Sequence, residues 1–141
     1  MKRTLVVNVP PERIYPYLSD FENAVEWDAG TVSCTRVSGD GGVGTTYTNV
    51  SKFVGRETTL TYTTQALEEN RLFAIRGEND TVISDDVITM TPSGTGTEVT
   101  YTAEFTFKGV WKYVAPLLKP ALDKLGNDTE KTLRGALVKL G

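Results

Sequence analysis

The sequence contains no histidine and only one cysteine, Cys34. Without histidine, the chain cannot form a Ser-His-Asp or Cys-His catalytic group or a histidine-ligated metal site. A single cysteine excludes an intramolecular disulfide, and a zinc site would need an almost entirely carboxylate ligand set, which zinc disfavours. We therefore expect neither a metal nor a cofactor.

Basic clusters and long apolar runs are also missing. The net charge of −3 and the pI near 5.0 argue against nucleic acid or an anionic membrane as a partner. No stretch approaches the roughly 20 apolar residues of a membrane span. The first apolar run stops at Pro10, which is too early for a signal peptide. These features predict a cytoplasmic protein without stable membrane anchoring.

The threonine-rich middle of the chain predicts an antiparallel sheet with one solvent-facing side. Sixteen of the 21 threonines lie between Thr45 and Thr106, and turn signals separate the apolar runs there. Two short helices are predicted before this region, the first containing Pro16. After it, apolar spacing predicts one long helix over 111–139, bent at Pro116 and Pro120. The predicted strands are 4–9, 31–37, 45–53, 56–67, 71–78, 81–91 and 97–108.

Hairpin turns predict which side chains point inward. A two-residue Val54-Gly55 turn pairs Phe53 with Arg56, and a two-residue Asn79-Asp80 turn pairs Glu78 with Thr81. The resulting inner face consists of Tyr47, Asn49, Phe53, Leu60, Tyr62, Phe73, Ile75, Val82, Ser84, Asp86, Ile88, Met90, Val99, Tyr101, Phe105 and Phe107. Three apolar residues, Leu72, Ile83 and Val87, fall on the outer face.

The stretch "VISDDVITM" (82–90) carries two adjacent acids, of which only one can face inward. Ile88 and Met90 share a face with Asp86, so we expect Asp86 inside, opposite Phe73, and Asp85 in water. A slip of one residue would exchange the two. An inward carboxyl has a raised pKa and can exchange protons with a ligand. Alternatively, Asp86 pairs with Arg76 or Arg56, or is simply exposed to water.

Four segments carry a resemblance to a known family. They are "VPPERIYPYLSDFENAVEWDAG" (9–30), "GGVGTTY" (41–47), "EENRLFAI" (68–75) and "TPSGTGTEVTYTAEF" (91–105). Together they resemble polyketide cyclase/dehydrase-type members of the START-like (SRPBCC) superfamily, over nearly the whole chain. The resemblance implies an α+β helix-grip fold in a single domain, 1–141. In that fold, a curved antiparallel sheet of about seven strands wraps a long C-terminal helix, with two short helices after strand 1. Pro16 departs from the family pattern.

The resemblance also implies a cavity between sheet and helix that binds a small hydrophobic or aromatic ligand, such as a lipid, polyketide or isoprenoid. One alternative is a polyketide cyclase or dehydrase that uses Asp86 and cavity tyrosines for proton transfer. Another is a protein-interaction module that uses Leu72, Ile83 and Val87. We expect a monomer or weak homodimer. Asp28 is expected to be solvated. Gly126, in the middle of the long helix, either leaves room for a ligand or marks a bend. The predicted cavity residues are Trp27, Tyr47, Asn49, Leu60, Tyr62, Phe73, Ile75, Ser84, Asp86, Ile88, Tyr101, Phe105, Leu118 and Leu122.

Overall fold

The computed structural model describes residues 1–141 as seven strands and three α-helices, joined in places by 3-10 turns. The strands are β1 (Lys2–Val7), β2 (Thr31–Ser38), β3 (Thr46–Phe53), β4 (Arg56–Glu68), β5 (Leu72–Glu78), β6 (Val82–Ser93) and β7 (Gly96–Phe107). The helices are α1 (Pro11–Ser19), α2 (Ala24–Trp27) and α3 (Lys119–Val138).

All seven strands form one antiparallel sheet, in the order β1-β7-β6-β5-β4-β3-β2. The long C-terminal helix α3 packs against β1 and α2, and the two short helices follow β1. This arrangement confirms the predicted α+β helix-grip fold. None of the three helices is both long and apolar enough to cross a bilayer.

The predicted start of the C-terminal helix at residue 111 is wrong, because α3 begins at Lys119. Residues Gly109–Tyr113 and Ala115–Leu118 instead form two 3-10 turns. Proline lacks a backbone N–H and its ring clashes with the carbonyl four residues earlier in an α-helix. Pro120 is therefore accommodated at the second position of α3, where no such partner exists.

Gly126 provides a close contact between α3 and the N-terminal strand. A Cβ atom at this position would collide with Met1 Sδ and would lie 2.7 Å from Arg3 Nη2. The same guanidinium nitrogen donates to the Asp123 carbonyl at 3.2 Å and to Asn127 Oδ1 at 3.0 Å. The missing side chain thus makes room for β1 residues, and not for a ligand.

The β3–β4 register is confirmed, whereas the β5–β6 register differs from the prediction by two residues. Phe53 pairs with Arg56 as expected, but Glu78 pairs with Ile83 and not with Thr81. The β5–β6 turn is longer because Asn79 Oδ1 accepts hydrogen bonds from the backbone N–H groups of Thr81, at 2.8 Å, and Val82, at 3.0 Å.

This two-residue shift changes the neighbours of Asp86 but not the face on which it lies. Asp86 pairs with Ile75, and Phe73 pairs with Ile88, so the predicted Phe73–Asp86 pair is wrong. Because side chains alternate with a period of two, a shift of two residues preserves the face. Asp86 is therefore buried as expected, with 5% of its surface exposed.

Candidate functional site

A cavity of about 100 Å³ lies between the sheet and the first turns of α3. Its walls come from β3, β4, β6 and β7, from the α2–β2 turn and from α3. Seven of the residues predicted from the sequence line it: Leu60, Tyr62, Ser84, Asp86, Tyr101, Phe105 and Leu122.

The other predicted residues lie elsewhere. Trp27, Tyr47, Phe73, Ile75 and Ile88 are buried in the packed core. The Phe21 side chain occupies that part of the interior, with its ring 5.7 Å from the Tyr47 ring and 6.1 Å from the Phe73 ring. Leu118 belongs to the 3-10 turn before α3 and is not part of the cavity wall.

Asn49 does not line the cavity either, but it joins a hydrogen-bond chain that ends there. Its Nδ2 donates to Thr31 Oγ1 at 3.2 Å, and Thr31 Oγ1 donates to Asp28 Oδ2 at 2.8 Å. Asn49 therefore acts on the cavity through Thr31 and Asp28.

Asp28 is the principal residue that the sequence interpretation missed. Expected in water, it is half-buried and lines the cavity. Its carboxylate accepts from Thr31 Oγ1, from the Gly30 N–H at 3.2 Å and from Thr129 Oγ1 at 3.4 Å. Burial raises the pKa of Asp28, and these three hydrogen bonds partly offset that rise. The Asp-x-Gly pattern, typical of a side chain that bonds the backbone two residues later, was the available signal.

Asp86 lies in the opposite wall with fewer partners. Ser84 Oγ donates to its Oδ1 at 3.0 Å, and no protein group donates to its Oδ2. Burial, with a smaller contribution from the charge of Asp28, raises the pKa of Asp86 to about 8. Asp86 is therefore protonated at neutral pH, and it can donate a hydrogen bond into the cavity.

The neighbouring acid, Asp85, faces outward and pairs with Arg76. Arg76 Nε donates to Asp85 Oδ1 at 2.6 Å, and Arg76 Nη2 donates to Oδ2 at 3.2 Å. This bidentate pair occupies the guanidinium that was the alternative partner of Asp86. No basic side chain forms a salt bridge with Asp86 or Asp28.

Two tyrosines complete the polar part of the cavity. Burial and the nearby acids Asp86 and Asp28 raise the pKa values of Tyr62 and Tyr101, so both phenols stay protonated. The Tyr101 hydroxyl has no hydrogen-bond partner in the protein, and its ring rests edge-on against Trp27 at 5.7 Å. Both tyrosines can thus donate to a ligand oxygen.

Gly77 sets the position of the Tyr62 ring. A Cβ atom on Gly77 would lie 2.5 Å from Tyr62 Cζ, so the ring lies directly over this residue of β5. Cys34 offers no nucleophile, because burial raises the pKa of its thiol to about 11.

Comparison with known proteins identifies the family. Residues 1–140 match the family described as polyketide cyclase/dehydrase and lipid transport. The chain belongs to this family. Its membership confirms the resemblance that the sequence segments carry. No curated protein sequence matches the chain significantly.

Solved structures of other proteins share the fold. The Zhui aromatase/cyclase from Streptomyces sp. R1128 superposes with a TM-score of 0.81 at 13% identity, covering 97% of this chain and 92% of that one. A START superfamily protein from Mycobacterium smegmatis gives 0.78 at 17% identity, with 100% and 98% covered. The protein TTHA0849 from Thermus thermophilus gives 0.78 at 19% identity, with 99% and 94% covered. At these identities, the likeness shows the helix-grip fold and no more.

Proposed function

We propose that this family member binds a small, mostly apolar ligand in the cavity, and that Asp86 and Tyr101 hold the polar end of that ligand. The observation that carries the proposal is a pair of polar atoms that have no hydrogen-bond partner in the protein, Asp86 Oδ2 and the Tyr101 hydroxyl, on residues that line the mostly apolar cavity. Neither atom is among the fully enclosed polar atoms without a partner, so a ligand can reach both. Apolar walls with a few convergent polar groups are typical of ligand sites. A hydrogen bond from a ligand would satisfy each of these two groups.

The volume limits what the cavity can hold. About 100 Å³ is less than the roughly 150 Å³ of an engineered cavity that admits benzene. A ligand the size of a polyketide or lipid therefore requires the cavity to widen. Three half-buried lining residues, Phe107, Leu122 and Leu125, precede or follow the 3-10 turns, and the exposed Lys52 lines the cavity from β3.

Binding of 2-naphthol, followed by its fluorescence, tests this proposal. The probe has an aromatic body and one hydroxyl that can bond Asp86 and Tyr101. We expect saturable binding that Asp86→Asn weakens about tenfold, because one hydrogen bond to the ligand is worth roughly 1 kcal/mol or more. The matched control Asp85→Asn changes a side chain on the outer face and should leave the affinity unchanged. Equal affinities for the two variants would exclude Asp86 as a ligand contact.

A second candidate function is proton transfer in a cyclase or dehydrase reaction. It is favoured by the unequal surroundings of the two cavity acids. Burial raises the pKa of both acids, but three hydrogen bonds to Asp28 offset part of its rise, whereas Asp86 accepts one and its pKa is raised to about 8. Two carboxyls whose surroundings separate their protonation states can serve as base and acid in one site. Asp28 would remove a proton from the carbon beside a ketone while Asp86 gives its proton to the ketone oxygen, which forms the enol.

Hydrogen–deuterium exchange at the α-carbons of 2-tetralone in D2O, followed by NMR, tests this second function. We expect exchange above the buffer rate that falls at least a hundredfold in both Asp28→Asn and Asp86→Asn, as for removal of a general acid or base. The Asp85→Asn control should retain the full rate. If 2-naphthol binds but no variant-sensitive exchange occurs, the ligand-binding function stands and the enzymatic one does not.

The interaction-module alternative receives no support from the outer face. Leu72, Ile83 and Val87 are each half-buried. Leu72 pairs with Thr89 and Ile83 pairs with Glu78, at opposite ends of the β5–β6 ladder. They do not form one continuous apolar surface.

A further inference from the structure

The segment between β7 and α3 exposes more large apolar side chains than any other part of the chain. Val110, Tyr113 and Leu117 are 72%, 74% and 78% exposed, and Trp111 is 39% exposed. No residue of the two 3-10 turns is buried. Single exposed apolar residues are ordinary, but four within eight residues form a patch that marks an interaction site.

The local sequence keeps these side chains from folding inward. Gly109 turns the chain with a φ of 56°, and Pro116 and Pro120 prevent an α-helix from starting before Lys119. The turns are held by three short-range backbone bonds, from Trp111, Val114 and Leu117 to the carbonyls three residues earlier. The apolar patch is therefore a fixed consequence of the glycine and the prolines.

The patch is flanked in the chain by residues that line the cavity. Phe107, which lines the cavity, immediately precedes the segment, and Leu122, which also lines it, follows within α3. At the β3–β4 turn, Phe53 is a third lining residue and its neighbour Val54 is 64% exposed.

The charge of this region is opposite to that of the whole chain. Residues 108–124 contain four lysines and one aspartate, a net charge of +3 in a protein whose net charge is −3. Lys112 Nζ lies over the Tyr113 ring, 5.4 Å from its centroid, which is a cation–π contact. Lys108 and Lys124 pair with acids, whereas Lys112 and Lys119 form no salt bridge.

We propose that residues 108–124 form a docking surface for an anionic lipid membrane. Trp111, Tyr113 and Leu117 enter the boundary between head groups and acyl chains, and Lys112 and Lys119 contact lipid phosphates. Aromatic and apolar side chains interleaved with lysine are typical of interfacial segments, and lysines close to an anionic surface strengthen the contact. The overall negative charge does not oppose this contact, because salt screens charges beyond roughly 10 Å. The interaction is peripheral and reversible, and it brings the cavity-lining residues that flank the patch close to the bilayer.

Vesicle flotation tests the docking surface without reference to any cavity ligand. The probes are vesicles of phosphatidylcholine alone and vesicles of phosphatidylcholine mixed with phosphatidylglycerol. We expect binding to the mixed vesicles only, weakened by salt, together with a blue shift of Trp111 fluorescence that Trp111→Phe removes. Reversing Lys112 and Lys119 together to Glu should lower the affinity at least tenfold.

The matched control reverses Lys131 and Lys139 to Glu, because these lysines are exposed on α3 and at its C-terminal end, outside the patch. This variant has the same net charge as the Lys112/Lys119 variant and should keep most of the binding. Equal loss in the two double variants, or no binding to the mixed vesicles, would overturn the proposal. Loss of a concentration-dependent dimer in Trp111→Ala, without vesicle binding in the wild type, would show instead that the patch is a protein interface.

Discussion

At the scale of single residues, the adjacent acids Asp85 and Asp86 have opposite environments for a purely geometric reason. The pleat of β6 points Asp85 to solvent, where Arg76 binds it in bidentate fashion, and points Asp86 to the cavity. One peptide bond thus separates a surface ion pair from a carboxyl that is protonated at neutral pH.

The raised pKa of Asp86 predicts a loss of stability as pH rises. The unfolded chain ionises this carboxyl near the ordinary value of 3.8, whereas the folded protein retains its proton up to about pH 8. Between these values the unfolded state binds fewer protons, so the free energy of unfolding falls with pH and is then constant above the folded pKa. The Asp86→Asn variant lacks this pH-dependent contribution to the free energy of unfolding, because asparagine does not ionise. We expect the variant to gain about 3 to 6 kcal/mol relative to the wild type between pH 4 and pH 8.

Urea unfolding at a series of pH values measures this difference. The Asp85→Asn variant is the matched control, since the same substitution then lies on the outer face of the sheet. If the Asp86→Asn profile runs parallel to that of the wild type, the carboxyl is ionised in the folded protein and the proposed hydrogen-bond donor is absent.

At the scale of elements, the alternation of inward and outward side chains along the strands is easier to predict than the residues at which strands and helices end. The inner set on β7, with Val99 and Tyr101, follows from period two and is buried as expected. The β5–β6 turn was misjudged because the side chain of Asn79 closes a longer loop, which turn length alone does not reveal. The start of α3 was misjudged because apolar spacing continues through Pro116 and Pro120, although the backbone cannot be α-helical there.

Two glycines in different elements should respond to alanine with opposite signs. In β5, Gly77→Ala forces the Tyr62 ring to move, and we expect a loss of about 1–3 kcal/mol together with weaker binding of 2-naphthol. In α3, a Cβ atom on exposed Gly135 meets nothing within 4 Å. We therefore expect Gly135→Ala to gain up to about 1 kcal/mol and to leave binding unchanged. Chemical denaturation of both variants provides the test, and a neutral Gly77→Ala would show that the ring is not fixed by this contact.

At the scale of the whole molecule, one half of the inner face of the sheet packs into the core and the other half lines the cavity. Phe73 and Ile88 meet Phe21 and helix α1 in the packed half, while Phe105 and Tyr62 face the cavity. The packed residues and the cavity-lining residues have the same sequence pattern, since both are largely apolar and alternate inward. Which inward residues are packed and which line the cavity depends on where Phe21 and α3 lie. Strand periodicity does not predict either of these positions. Seven of the predicted site residues therefore line the cavity, while Asp28 was missed.

The cavity is small, so a larger ligand requires part of the molecule to move. Residues 109–118, which join the cavity-lining residues Phe107 and Leu122, are the least tightly held segment beside it. They have few backbone hydrogen bonds and no buried side chain, whereas β6 is paired on both sides. Local opening free energies are smallest where buried contacts and protected hydrogen bonds are few. We expect amide exchange, measured by mass spectrometry, to be at least roughly a hundredfold faster in a peptide covering 109–118 than in one covering 84–91. Helix α3 beyond Leu125, which buries one face and exposes the other, is the internal control and should exchange at an intermediate rate. Equal protection of 109–118 and β6 would mean that this segment does not open and that a ligand must reach Asp86 by another route.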